Sequence, residues 1–102
     1  MLELREFLKA MEENEDIIIV AKDDDNNTSL GNHTKESWLL ALDYMGNTKF
    51  TITQIGKKYG YTCLRLGEIR CNQVKRLEVL SNDAACTIAF SSYLSVKEEQ
   101  TC

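Results

Sequence analysis

Any chemistry in this 102-residue chain would have to come from few side chains. Its thiols are Cys63, Cys71, Cys86 and Cys102, and His33 is its single imidazole. No two cysteines stand in CxxC spacing, so neither a zinc site nor a disulfide framework is predicted, and the cysteines read as reduced thiols partly in the core. His33 has no nucleophile at a defined spacing; Ser37, four residues on, falls on a predicted helix. Asp25, Asn27, Ser29 and Glu36 place oxygens as a calcium loop does, but its required sixth-position glycine is Leu30 here, and a solvated loop is the better reading. There is no phosphate-cradling glycine loop and no carboxylate pair distinct from surface acid. The expectation is a protein that is not an enzyme and binds no cofactor or metal.

The cations carry more information. The formal net charge is −4, yet it is unevenly spread. Residues 1–47 hold 4 basic and 11 acidic side chains, and residues 77–102 one basic and four acidic. Between them, residues 48–76 hold seven basic side chains (Lys49, Lys57, Lys58, Arg65, Arg70, Lys75 and Arg76) and only Glu68 as acid. Such a basic island is the electrostatic footprint of a nucleic-acid contact, or equally of a solvated face neutralised by its acidic flanks.

The elements that would position these residues follow from periodicity. Leu4, Phe7, Leu8 and Met11 recur at i, i+3, i+4 and i+7, which predicts an amphipathic helix over 2–13. Ile17–Ala21 is a continuous, largely β-branched run, hence a short buried strand or a tightly packed turn. Residues 23–34 are polar and aperiodic and read as a long loop. Thr34 caps a predicted helix over 35–45 with Trp38, Leu42 and Met45 on one face, closed by Gly46.

From Thr51 two readings compete. In the helical one, Thr51 and Gln54 form a capping box. Ile52, Ile55 and Tyr59 share a face, Gly60 turns the chain, Thr62 caps a second helix, and Leu66, Ile69, Leu77 and Leu80 continue the stripe, with Val74 slightly off it. A small residue at Gly56 would let the second helix cross closely, which is what a helix-turn-helix requires. In the strand reading, 48–55 and 61–66 are two β-rich runs joined by Gly56-Lys57-Lys58-Tyr59 as a hairpin loop, as in small SH3-like barrels. Alternation breaks after Leu66, and the helical reading is favoured.

Over 51–77 the segment resembles the promoter-binding helix-turn-helix of bacterial primary sigma factors. Ile55, Gly56, Lys57, Lys58, Gly60, Thr62, Arg65 and Ile69 match that family's pattern, and Ile52, Tyr59 and Leu66 are conservative changes. A looser likeness extends over 36–95. The resemblance implies a second helix, Thr62–Arg70, docked in a DNA major groove, with Lys57, Lys58, Thr62, Arg65, Glu68, Arg70, Lys75 and Arg76 as the nucleic-acid contacts. Cys63, Leu64, Gly67 and Glu68 depart from the family, leaving Arg65 as the surviving base-reading cation. Each lost contact would remove about 1–3 kcal/mol of discrimination.

The fold class expected is mainly α: one domain over 1–102, with an N-terminal helix and apolar segment in 1–22, the loop in 23–34 and a helix-turn-helix-like region in 35–95. An α+β SH3-like barrel is the alternative. The function expected is transcription-type regulation through duplex DNA, RNA polymerase or another transcription protein. The alternative is a protein-interaction module without DNA binding. With no apolar run near the ~20 residues of a membrane span and a charged N-terminus, the location expected is cytoplasmic.

Overall fold

A computed structural model describes residues 2–23, 26–67 and 69–100, with side chains for 2–21, 28–67, 69–70 and 72–91. The chain is α+β, not mainly α. Its order is β1 (Leu2–Glu3), α1 (Leu4–Ala10), β2 (Asp16–Asp23), β3 (Asn26–Thr34), α2 (Lys35–Tyr44), β4 (Thr51–Lys58), β5 (Tyr61–Leu66) and α3 (Cys71–Gln100). The strands form one open sheet in the order β1-β4-β5-β2-β3, so it is not a barrel either. Every pairing is antiparallel except β2 with β5.

Thr51–Leu66, the expected helix-turn-helix, is a β-hairpin. Its two-residue turn is Tyr59-Gly60, with φ of 53° and 83°. Positive φ at both central positions is the signature of the type I′ turn, whose twist matches that of paired strands. Gly60 therefore does turn the chain, but between strands. The hairpin strands are rich in β-branched and aromatic residues, and β5 gains a second partner in β2. Tertiary pairing thus outweighs the local helical caps.

The predicted loop over 23–34 is the second correction. From Asn26 it is β3, an edge strand paired with the whole length of β2. The N-terminal helix, the apolar strand and the helix after Thr34 are present with shifted bounds. The N-terminal helix is shorter than 2–13, because Leu2–Glu3 pairs with β4 and the Glu3 carboxylate accepts the Arg5 and Glu6 amides at 3.2 and 3.0 Å. Ile17–Ala21 lies in β2. Thr34 caps α2, accepting the Ser37 amide at 3.2 Å.

The two faces of the sheet differ. Ile17, Ile19 and Ala21 of β2, Leu64 and Leu66 of β5 and Ile52 of β4 join one core cluster with Leu4 and Leu8 of α1, Trp38, Ala41 and Leu42 of α2, and Val74, Leu77 and Ala84 of α3. In α3, Val74, Leu77, Ser81 and Ala84 are buried at i, i+3, i+7 and i+10, so Val74 belongs to the stripe. Ile18 and Val20, pointing the other way, lie outside the cluster. Among the described residues the helices cover one face and leave the other open.

Candidate functional site

The register fixes which side chains share the open face. Gln54 stands opposite Arg65, Gly56 opposite Cys63 and Lys58 opposite Tyr61, while Val20 of β2 is level with Arg65 on its other side. Cross-strand partners project to the same side of a sheet. Together with Lys57, six of these residues (Val20, Gln54, Gly56, Lys58, Cys63 and Arg65) line a shallow cavity of about 340 Å³.

Each residue has a physical role there. Gly56 sits mid-strand, and a Cβ built on it would meet nothing within 4 Å. Its missing side chain therefore deepens the floor beside the half-buried Cys63 thiol. Lys58 and Arg65 stand towards opposite ends, roughly 13 Å apart along the strands at ~3.3 Å per residue. The Lys58 ammonium lies 5.6 Å from the centroid of the Tyr59 ring, a cation–π contact that steadies it at the tip. Tyr59 is 85% exposed. Among the described residues, no acidic side chain lines the cavity.

Among the described residues, the acid hydrogen-bonded to the hairpin is Glu15, on the helix-side face. Thr62 donates to the Glu15 carboxylate at 3.0 Å, and the Lys57 ammonium donates to the Thr62 hydroxyl at 3.2 Å. Lys57 is thereby linked through Thr62 to acid, whereas Lys58 and Arg65 face the open side.

Of the predicted nucleic-acid contacts, then, the structure brings Lys57, Lys58 and Arg65 to one site. Thr62 is not a helix cap but a mid-strand link to Glu15. Arg70, Lys75 and Arg76 are exposed beyond the far end of β5, at the start of α3. Glu68 lies outside the described residues. A recognition helix over Thr62–Arg70 is not formed, and groove docking by it goes with it.

Val20, Gln54, Gly56 and Cys63 are not among the nucleic-acid contacts expected from the sequence, in which Gln54, Gly56 and Cys63 read as a cap, a helix-crossing position and a thiol. Alternate positions of two paired strands would have found them, but only under the strand reading.

Cys63 and His33 lie on opposite faces of the sheet: His33 pairs across from Ile17 and packs edge-on against Trp38, ring centroids 5.0 Å apart. Among the described residues no group of three or more His, Cys, Asp or Glu could hold a metal ion, and no helix is long and apolar enough to cross a membrane. Cys71's side chain, Cys102 and the start of the calcium-like spacing at Asp25 lie outside the described residues.

No known protein family, no curated protein and no solved structure matches the chain.

Proposed function

We propose that this protein is a non-catalytic binding module that holds an acidic segment of a partner protein against the open face of its sheet. The observation that carries the reading is the cavity between Lys58 and Arg65, lined among the described residues by cations, an amide and a glycine and by no acid. An ammonium and a guanidinium there supply charge-assisted hydrogen bonds to carboxylates. The separation of the Cys63 thiol from the imidazole supports a role without catalysis, and a cytoplasmic location suits exposed thiols such as that of Cys86. Duplex DNA is not proposed as the partner, because its reading rested on the recognition helix.

The test is an amide-resolved NMR titration with the peptide Val-Glu-Val-Glu-Val-Glu, with its lysine counterpart as control. Shifts that include Gln54, Gly56, Lys58, Cys63 and Arg65 and stay on the hairpin and the neighbouring β2, weakened by salt, support the reading. Equal response to the lysine peptide, or shifts only elsewhere, overturns it.

A further inference from the structure

The outer edge of β4 points to the way that partner is held. β1 pairs with this edge only at Thr51 and Ile52. Among the described residues nothing pairs with it from Thr53 to Lys58, a length of roughly 20 Å. The same edge thus accepts one strand, antiparallel, and then stops short with backbone groups to spare.

Which groups those are follows from the turn. In a two-residue hairpin the pair flanking the turn, Lys58 and Tyr61, exchanges both of its hydrogen bonds, and bonded pairs then alternate along the ladder. Gly56–Cys63 and Gln54–Arg65 are therefore bonded pairs, while Ile55–Leu64 and Lys57–Thr62 are not. The N–H and C=O of Ile55 and Lys57 consequently point away from β5, towards the open edge. Groups aimed this way are a template for another strand.

The side chains along the edge select what that strand is. Ile55 is 48% exposed and offers apolar contact at its middle. Lys57 and Lys58 close it, and Arg65 lies one strand inward on the open face. A basic strand is repelled there and an acidic one attracted.

We infer that the partner's acidic segment is bound as an added β-strand on β4, its backbone bonded to Ile55 and Lys57 and its carboxylates reaching Lys58 and Arg65. This rests on the binding reading above but makes a separate claim, that the partner's backbone is recognised and not its charge alone.

Two measurements on the full chain separate the claims, with Val-Glu-Val-Glu-Val-Glu as the probe. The first compares Ile55→Pro, Ile55→Ala and Lys58→Glu/Arg65→Glu. Proline is tolerated on an edge strand where its missing N–H faced outward, so the fold is retained. Ile55→Pro is expected to weaken binding at least tenfold and Ile55→Ala less than threefold; the charge reversal also weakens it at least tenfold. If Ile55→Pro binds like Ile55→Ala while the charge reversal still abolishes binding, strand addition fails and the acidic-partner reading stands. If the charge reversal changes nothing, both fail.

The second needs no variant. Probe binding is expected to slow hydrogen exchange at the Ile55 and Lys57 amides and to leave Gly56 and Lys58, already bonded to β5, unchanged. Uniform protection of all four, or of none, overturns the inference. So does concentration-dependent self-association that the probe cannot displace, which makes a second copy the occupant. Stronger competition by oligothymidylate than by the peptide assigns the site to single-stranded nucleic acid and overturns it as well.

Discussion

Ile55 and Leu64 stand directly opposite each other on β4 and β5 and project to the same side of the sheet, yet Leu64 is wholly buried and Ile55 is 48% exposed. The helical layer therefore ends between the two strands, and the outer part of the hairpin overhangs the core. Burial, and not residue type, sets what each is worth. Leu64→Ala is expected to destabilise the fold by about 2–5 kcal/mol, through lost transfer free energy and the cavity left behind. Ile55→Thr is expected to stay within about 0.5–1 kcal/mol. Urea titration followed by the Trp38 signal measures both, and a large loss at Ile55 would contradict the overhang.

The turn gives a second prediction. Tyr59 holds φ at 53°, where a side chain other than Asn or Gly is strained by roughly 1–2 kcal/mol. Tyr59→Asn, which keeps the turn and relieves that strain, is expected to raise stability by about 0.5–1 kcal/mol. Gly60→Val, forcing a β-branched residue to φ near 83°, is expected to lower it by at least that much. Opposite signs from neighbouring positions distinguish a type I′ hairpin from a helical turn, in which Tyr59→Asn brings no such gain.

How far the sequence reveals this fold depends on where each pattern gets its signal. The Thr34 cap and the run Ile17–Ala21 are local signals: the cap appears as read, and the run is the strand of its two readings, inside the longer Asp16–Asp23. β4 hides its period for two reasons. The register shifts between Ile52 and Gln54, so alternation slips at Thr53. Beyond Ile52 the strand is exposed on both faces, so no apolar alternation exists to be seen. β3 is harder still, since among its described side chains Leu30 alone is buried and the rest read as loop. The basic island was legible, but only pairing shows that Lys58 and Arg65 share the open face while Lys57 is tied to Thr62 and Arg70, Lys75 and Arg76 lie apart.

His33 gives the chain one acid-sensitive point near neutrality. Burial pushes its pKa below the ordinary value of about 6.5, outweighing its hydrogen bond to the Asn82 side chain and attraction from Asp16, which both act the other way. Its Nε2 is buried with no hydrogen-bond partner among the described residues. Between the folded and unfolded pKa values the unfolded chain binds more protons, so stability rises with pH across that window. The contribution is full above about pH 6.5 and is lost as pH falls through the folded value. Stability measured from pH 7.5 to 5 should therefore decline in the native chain and decline less in His33→Gln. An equal slope in both removes His33 as the cause.

The space for that ring is made by Gly31. A Cβ there would come within 2.8 Å of His33 Nε2, and φ at +132° is unfavourable for any side chain. Gly31→Ala is expected to cost about 1–3 kcal/mol. Because the insult falls on the imidazole, the loss should shrink in the double variant with His33→Ala. Additive losses in a double-mutant cycle would place the cost in the backbone alone.

Arg5 ties α1 to the end of α2. One guanidinium nitrogen donates to the carbonyls of Leu42 and Gly46, both at 2.9 Å. Those carbonyls lie at the C-terminal end of a helix whose last turn carries no basic residue of its own, so Arg5 is the cation that answers its dipole. Arg5→Met keeps the apolar stem and removes both bonds, and it should cost about 2 kcal/mol, within the range for hydrogen bonds to a charged donor. The guanidinium Nε is buried without a partner among the described residues, which offsets part of that gain. Arg5→Lys tests the geometry separately: an ammonium keeps the charge but not the guanidinium's reach and planar donor directions, and should recover less than half of the lost stability. If Arg5→Lys is as stable as the native chain, attraction to the helix terminus and not directed bonding holds α1 in place. If Arg5→Met is as stable, neither does, and the apolar contacts of Leu4 and Leu8 suffice.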